Sequence, residues 1–253
     1  MSGYGVFAHY YDELTRNVPY DAMAERLDIL LRSHTVAPEG VRPVLLDLGC
    51  GTGSISERMA MRGYDVIGAD ASCDMLAIAS QKRVANGSDV LYICQDMRKL
   101  RLYSPAHACI STLDSFCHCP DKAAVAQAFG RVADCLYEGG LFLFDVNSPF
   151  KHAHVLAGNT FVYDSEQVYC VWKNTYSEQD CTVHIDLDLF VRENDRYRLE
   201  EESFVERTYA LADWEQLLTD AGFTMIEVFD DYTEQEVQED SQRYLFVARK
   251  QGV

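Results

Sequence analysis

A strand-like apolar run that ends in a glycine-rich loop is the feature that most constrains the fold of this 253-residue chain. The run, from Val44 to Gly53, reads V-L-L-D-L-G-C-G-T-G and places glycine at alternate positions 49, 51 and 53. Glycine adopts positive φ without strain and lets a ligand approach the main chain closely. A strand that leads into such a loop and then into a helix is typical of a nucleotide-type cradle.

Two later acids also follow apolar runs. Tyr64 to Ala69 is followed by Asp70, at the place where an acid accepts the two hydroxyls of a ribose, about 20 residues after a glycine loop. Val90 to Cys94 is followed by Gln95 and Asp96. The Gly-x-Gly-x-Gly spacing after an acid differs from the dinucleotide pattern G-x-G-x-x-G, and that acid suits an ammonium group better than a pyrophosphate. A dinucleotide-dependent oxidoreductase stays the less favoured alternative.

The order of periodic segments indicates an α/β fold. Runs with helical spacing alternate with short apolar runs up to residue 146, and one more helix and two strands follow after residue 212. This alternation predicts a Rossmann-like, doubly wound, mostly parallel sheet with ligands at the carboxyl ends of its strands. The predicted helices are 20–33, 54–62, 74–85, 121–136 and 213–221, and the later predicted core strands are 108–113, 141–146, 223–229 and 242–249.

Between Phe161 and Tyr209 the hydrophobic period changes from 3.6 to two. Val183, Ile185 and Leu187 alternate with polar residues, and a turn follows at 193–196. The pattern predicts an antiparallel meander of three or four strands that packs one face on the core. We therefore divide the chain into residues 1–149 (N-terminal helices and cofactor-binding core), 150–208 (inserted antiparallel β-subdomain) and 209–253 (the rest of the core).

Composition narrows the classes of function. The formal net charge of −18 argues against a nucleic-acid partner, which needs clustered Lys and Arg, and favours a neutral or cationic substrate. Met1 to Tyr11 lacks the apolar segment of a signal peptide, and no run reaches the length of about 20 apolar residues that spans a membrane. We expect a cytoplasmic protein with nine reduced cysteines, no metal at Cys117–Cys119, no membrane association, and a monomeric or homodimeric state.

Taken together, V-L-L-D-L-G-C-G-T-G, G-A-D-A-S and Q-D-M resemble the class I S-adenosylmethionine-dependent methyltransferases. F-A-H-Y-Y-D-E-L, S-T-L-D-S and L-Y-E-G-G-L-F-L-F-D-V-N-S resemble a bacterial subgroup of small-molecule enzymes that includes sugar N-methyltransferases. The likeness covers residues 4–150 well and 203–249 loosely. It implies a core of seven strands that ends in an antiparallel hairpin, S-adenosylmethionine as cofactor with S-adenosylhomocysteine as product, and a small-molecule methyl acceptor. A non-catalytic regulator or partner subunit that binds the same cofactor is the alternative.

The resemblance also implies a set of cofactor-binding residues. Asp47 would hold the amino group of the cofactor, directly or through water. Asp70 would bind its ribose and Asp96 its adenine amino group, with Met97 packed on the ring. Leu113 would offer its carbonyl to the cofactor amino group. The complete set is Asp47, Gly49, Cys50, Gly51, Gly53, Asp70, Ala71, Asp96, Met97 and Leu113.

Methyl transfer from a sulfonium needs a base only when the acceptor arrives protonated. His118 and Tyr11 are the candidate catalytic residues, because a histidine titrates in the useful range and the tyrosine matches a position that lines the site in the resembling subgroup. A structural loop histidine and a core aromatic are the alternatives for these two positions. The candidate substrate-binding residues are Tyr10, Asp114, Ser115, Asp145, Asn147 and Arg207, with Trp172, His184 and Tyr209 ranked lower.

Overall fold

The structure, a computed structural model, describes residues 5–34, 38 and 40–252. The outer ends of the first and third predicted units, residues 1–4 and 253, lie outside the described residues. The helices are α1 Gly5–Leu14, α2 Tyr20–Ser33, α3 Ser54–Met61, α4 Cys73–Asn86, α5 Lys122–Cys135 and α6 Leu211–Asp220. The strands are β1 Val44–Leu48, β2 Asp65–Asp70, β3 Leu91–Cys94, β4 Ala106–Ser111, β5 Leu136–Asn147, β6 Thr160–Asp164, β7 Val168–Ser177, β8 Thr182–Glu193, β9 Arg196–Arg207, β10 Phe223–Asp230 and β11 Arg243–Lys250.

Seven strands form one sheet in the order β10-β11-β5-β4-β1-β2-β3. The five strands β1 to β5 run parallel, and β10 and β11 are antiparallel neighbours at the β5 side. The predicted doubly wound, mostly parallel sheet is therefore confirmed. The chain order reverses between β1 and β4, and such a switch point opens a crevice at the carboxyl ends of the strands.

Helix positions follow the hydrophobic spacing of the sequence. Helix α2 covers the predicted range and buries Met23, Leu27, Leu30 and Leu31 on one face. Helix α4 starts where the Ser72 hydroxyl accepts a hydrogen bond from the Met75 amide at 3.3 Å, and α5 is capped in the same manner by Asp121.

The four remaining strands make a second, antiparallel sheet in the order β6-β7-β8-β9. Its inner face buries alternate residues of β8, such as Val183, Ile185 and Leu187, against a cluster that includes Phe7 and Leu14 of α1. An inserted antiparallel sheet was the prediction, and the structure gives it four strands. Because α1 packs against this sheet, the N-terminal helix and the insertion share one apolar core.

Several predicted boundaries differ from the structure by one or more residues, and two of these differences have a clear structural cause. Strand β5 begins at Leu136, not at residue 141, because the chain passes from α5 into extended backbone with no loop and reaches the glycines at 139 and 140 within the strand. Strand β4 ends at Ser111 because Leu113 and Asp114 take positive φ values of 55° and 52°. None of the helices in the described part of the chain is long and apolar enough to cross a membrane.

Candidate active site

A cavity of about 550 Å³ opens at the carboxyl ends of the parallel strands. Its volume lies in the range of small-molecule and cofactor sites. Its walls come from the glycine loop, the ends of β2 to β5, helix α1 and the inserted sheet. The sequence-predicted residues that line it are Tyr11, Gly49, Cys50, Gly51, Asp70, Ala71, Asp96, Met97, Leu113, Asp114, Ser115, His118, Asn147 and Trp172.

The glycine loop turns on three left-handed residues between β1 and α3. Gly49 has φ +72°, and a Cβ atom there would lie 2.5 Å from the Ser115 hydroxyl, so this position must be glycine. Gly51 has φ +53° with open space where its Cβ would stand. The Gly51 amide donates to the Asp70 carboxylate at 2.9 Å, which ties the loop to the end of β2.

Asp47 lies beneath this loop as a buried acid. Its Oδ2 accepts a hydrogen bond from the Ser56 hydroxyl at 2.5 Å, while its Oδ1 is buried with no partner among the described residues. Burial raises the pKa of Asp47 to about 7, although the Ser56 bond opposes the rise. Asp47 is buried and does not line the cavity, so the structure does not place its free oxygen for direct contact with the ammonium group of S-adenosylmethionine.

Asp70 and Asp96 lie at the ends of neighbouring strands and line the same side of the cavity. Asp70 accepts amide hydrogen bonds from Gly51 and Ser72, and burial still raises its pKa. Asp96 forms an ion pair with Arg98, and this guanidinium lowers the pKa of the carboxyl group. Each carboxylate oxygen has two lone pairs, so both acids keep acceptor capacity for hydroxyl or amino groups.

A buried acid fixes the turn that follows β4. Asp145 on β5 accepts hydrogen bonds from the Leu113 amide at 2.8 Å and the Asp114 amide at 2.7 Å. It also pairs with Tyr232 and Arg243. Our expectation that Asp145 faces the acceptor does not match this placement, since it is fully buried and does not line the cavity. Its carboxylate holds Leu113 and Asp114 in their left-handed conformations.

Aromatic rings form the opposite wall of the cavity. Phe7 contacts Tyr11 edge-on, with ring centroids 5.4 Å apart, and both residues belong to α1. Trp172 of β7 and Phe204 of β9 lie edge to face at 6.0 Å, and Phe204 also contacts the His118 ring at 5.4 Å. This half of the cavity is therefore built by the N-terminal helix and the inserted sheet.

A charged cluster sits where the aromatic wall meets the end of β5. The Glu206 carboxylate accepts from the Asn147 amide at 3.0 Å, and the Lys151 ammonium donates to the Asn147 side-chain oxygen at 2.8 Å. Burial and the charge of Asp114 raise the pKa of Glu206 to about 8, with Lys151 opposing the rise. The Arg243 guanidinium pairs with Asp114 at 2.7 Å and, against the effect of burial, lowers the pKa of that carboxyl group.

His118 lies between the cofactor loops and this charged cluster. The residue is exposed to the cavity, and desolvation by the protein around its ring lowers the pKa of His118, with Asp114 and Asp70 opposing the shift. The imidazole is therefore neutral near pH 7 and able to accept a proton. Donor atoms of Asp114, His118 and Glu206 lie within 4.8 Å of one another, but Arg243 already bonds one of the two acids.

Some predicted residues lie elsewhere. The residues proposed for the site that do not line the cavity are Tyr10, Asp47, Gly53, Asp145, His184, Arg207 and Tyr209. Tyr10 of α1 packs in the apolar cluster that α1 shares with the inserted sheet, and the Tyr209 ring lies tilted against Trp214. Gly53 instead gives room to Tyr92, whose hydroxyl would lie 2.2 Å from a Cβ at that position.

Several polar residues of the cavity wall were missed from the sequence, among them the charged residues Lys151, Glu206 and Arg243. Lys151 starts a short π-helical turn, and Arg243 immediately precedes the buried apolar run of β11. A weak signal existed for Glu206, since alternate residues of β9 face inward, but the acidic run before it suggested a solvated strand.

The fold and the site together define an α/β protein with one large cavity at the carboxyl ends of its parallel strands. The family model described as a methyltransferase domain matches residues 45–140. A protein of Geobacillus sp. (strain WCH70) that is named as a methyltransferase is 34% identical over 98% of this chain and 99% of its own length. The chain belongs to the S-adenosylmethionine-dependent methyltransferase family, and S-adenosylmethionine is its cofactor.

Solved structures agree with this assignment. The chain is similar to an S-adenosylmethionine-dependent methyltransferase from Clostridium acetobutylicum ATCC 824, with a TM-score of 0.87 and 29% identity over 97% of this chain and 98% of that one. The sugar N-methyltransferase KedS8 from Streptoalloteichus sp. ATCC 53650 has a TM-score of 0.79 at 22% identity, covering 98% and 93% of the two chains. The second likeness concerns the fold alone.

Proposed function

We propose that this protein transfers the methyl group of S-adenosylmethionine to a small-molecule acceptor bound against the aromatic wall. The observation that carries this proposal is that one cavity joins the glycine-loop cradle to a second half lined by Phe7, Tyr11, Trp172 and Phe204. The alternative, a cofactor-binding protein without catalysis, does not need an acceptor half of this kind.

Bound S-adenosylmethionine supplies an electrophilic methyl group on a sulfonium. The protein contributes chiefly by position: α1 and the inserted sheet hold the acceptor against the cradle, and such alignment lowers a barrier by up to about 7–11 kcal/mol in favourable cases. His118 is neutral near pH 7 and lines the cavity beside Asp114. It is the group that accepts a proton when the acceptor atom carries one.

The residues that line the cavity indicate the chemical nature of the acceptor. Aromatic faces bind flat or alicyclic apolar surface, and Lys151, Asn147 and Glu206 offer hydrogen bonds at one end. KedS8, which has the same fold, is named as a sugar N-methyltransferase, and several partial relatives are named as ubiquinone biosynthesis O-methyltransferases. We propose a compact cyclic acceptor that carries hydroxyl or amino groups, neutral or cationic as the net charge of −18 favours.

A thermal-shift experiment tests whether the cavity binds the cofactor through Asp70. S-adenosylhomocysteine at about 100 times its Kd should add about 2.7 kcal/mol to the free energy of unfolding, and NAD should add nothing. Asp70→Ala removes the acid at the ribose position and should abolish the shift, whereas the exposed Asp195→Ala should keep it. A full shift in Asp70→Ala would remove Asp70 from the cofactor site.

Product detection tests the acceptor half. Cyclic amines, amino sugars and phenols are incubated with methyl-labelled cofactor, and labelled product is measured by mass spectrometry. His118→Gln should lower turnover of protonated acceptors by about 10²- to 10⁴-fold, the usual contribution of a general base, while S-adenosylhomocysteine binding persists. If the protein binds the cofactor but methylates none of these classes of compound, the non-catalytic alternative is favoured.

A further inference from the structure

Two exposed cysteines meet beside the cofactor loops. The Sγ atoms of Cys73 and Cys94 lie 2.6 Å apart, and both residues are free thiols in the structure. The other seven cysteines are buried or half-buried. Neither Cys73 nor Cys94 lines the cavity, so the chemistry of methyl transfer does not use this pair.

The backbone explains why the two thiols meet. Cys73 is the first residue of α4 and Cys94 the last residue of β3. Asp70 and Cys94 are partners across the parallel pair β2 and β3, and the Gln95 amide donates to the Asp70 carbonyl at 2.9 Å. The Ser72 cap then turns the chain so that the start of α4 returns over the end of β3. The elements that place the pair are therefore those that place Asp70 and Asp96.

We infer that Cys73 and Cys94 form a redox-active dithiol, which peroxides or small disulfides oxidise to a disulfide that fastens the adenosine end of the site. A disulfide S–S bond is about 2.0 Å long, so closure needs a movement of well under 1 Å. Exposure gives oxidants access to both sulfur atoms. In a reducing compartment such a bond forms transiently, which is the behaviour of a sensor.

The oxidation balances with hydrogen peroxide as the oxidant. One thiolate attacks a peroxide oxygen, the O–O bond breaks, and a sulfenic acid and hydroxide form. The second thiol attacks the sulfenic sulfur, the S–S bond forms, and the hydroxyl group leaves as water. The sum is two thiols and one peroxide converted to one disulfide and two waters, and a dithiol reductant reverses it.

The position of the bond predicts its consequence. Cross-linking α4 to β3 restrains the segments that hold Asp70, Ala71 and Asp96, while the cavity stays open because neither sulfur lies in its wall. Oxidation should therefore raise the melting temperature of the ligand-free protein by about 5 °C or more. The Kd for S-adenosylhomocysteine should fall or stay within about threefold, as expected for a preorganised site.

Peptide mapping tests the inference directly. The full chain is treated with a stoichiometric amount of hydrogen peroxide, alkylated and digested with trypsin, which separates residues 63–82 from residues 84–98. We expect these two peptides joined, two hydrogens lighter than their sum, and released by dithiothreitol. The same sample should show the higher melting temperature and retained binding of S-adenosylhomocysteine.

Matched variants complete the test. Cys73→Ser and Cys94→Ser should each abolish the joined peptides and the rise in melting temperature, whereas Cys181→Ser, in the inserted sheet, should keep both. Two separate alkylated peptides in the oxidised wild-type protein would overturn the dithiol. The peptides could also be found joined while the melting temperature stays the same or falls, or while S-adenosylhomocysteine no longer binds. Either result would overturn the claim that the disulfide stabilises the adenosine end of the site.

Discussion

Asp47 carries a carboxyl group whose protonation should be visible in the pH dependence of stability. Burial raises its pKa from 3.8 to about 7 in the folded state. Between these values the unfolded chain releases a proton that the folded protein keeps, so the free energy of unfolding falls as pH rises. This stabilisation is complete below about pH 4 and lost by about pH 7.

We therefore expect Asp47→Asn to remove part of the pH dependence. Relative to this variant, the ligand-free wild-type protein should lose up to about 4 kcal/mol of unfolding free energy between pH 4 and pH 7. Urea unfolding of both proteins across this range measures the difference. Other groups with a raised pKa, such as Glu206, contribute equally to both proteins, so their contribution cancels in the comparison. Parallel curves for the two proteins would show that Asp47 does not titrate there.

Asp145 supports a second residue-scale prediction. Its replacement by alanine leaves two backbone amides and the Tyr232 hydroxyl without their acceptor, and it removes one of the carboxylates that pair with the buried Arg243. Breaking a buried ion pair in this manner should lower the unfolding free energy by about 3–5 kcal/mol. Chemical denaturation checks the value, with exposed Asp195→Ala as the control. A loss below about 1 kcal/mol, the level of a surface substitution, would contradict this role.

At the scale of elements, helix α1 is fastened to the glycine loop by one acid. The Asp12 carboxylate accepts from the Thr52 hydroxyl at 2.6 Å and pairs with the Lys82 ammonium at 2.7 Å. Because α1 also supplies Phe7 and Tyr11 to the cavity, this link joins the two halves of the site.

Asp12→Ala should detach α1 while the core sheet stays folded. We expect faster amide hydrogen exchange over residues 5–14 and a several-fold weaker affinity for S-adenosylhomocysteine, since the loop loses a support. Hydrogen-exchange mass spectrometry and calorimetry measure these effects. His9→Ala, on the exposed side of α1, is the matched control and should behave like wild type. Unchanged exchange in Asp12→Ala would show that apolar packing alone holds the helix.

At the scale of the whole molecule, the net charge of −18 opposes compaction through self-repulsion. Raising the ionic strength from 0.01 M to 0.15 M shortens the Debye length from about 30 Å to about 8 Å and screens this repulsion. The melting temperature of the ligand-free protein should therefore rise with sodium chloride at pH 7.5. A fall would show that the local ion pairs, such as Lys82 with Asp12, contribute more than the global repulsion.

The whole molecule also shows which features of the fold and the site can be predicted from the sequence. The glycine loop and Asp70 lie on one continuous stretch of chain, so local spacing locates them well. Strand alternation likewise predicts the parallel sheet, because each βα unit buries its own periodic face. Lys151, Glu206 and Arg243 come from three separated segments that meet only in three dimensions, so no local pattern identifies them. Asp145 lies near the strand end where a ligand was expected. Its carboxylate instead bonds the amides of Leu113 and Asp114, which have positive φ, and this turn after β4 cannot be predicted from the spacing of β5.

The position of β11 in the sheet determines when the sheet can be completed during synthesis. This strand, residues 243–250, lies between β10 and β5 in the sheet and contributes Leu245, Phe246 and Val247 to the buried interior. Because β11 follows β5 and β10 in chain order, it leaves the ribosome after both of them. Until then one flank of β5 has no hydrogen-bonding neighbour, and Arg243 cannot reach Asp145 or Asp114. Every nascent chain that lacks β11 therefore has an open sheet edge and an unfinished pocket.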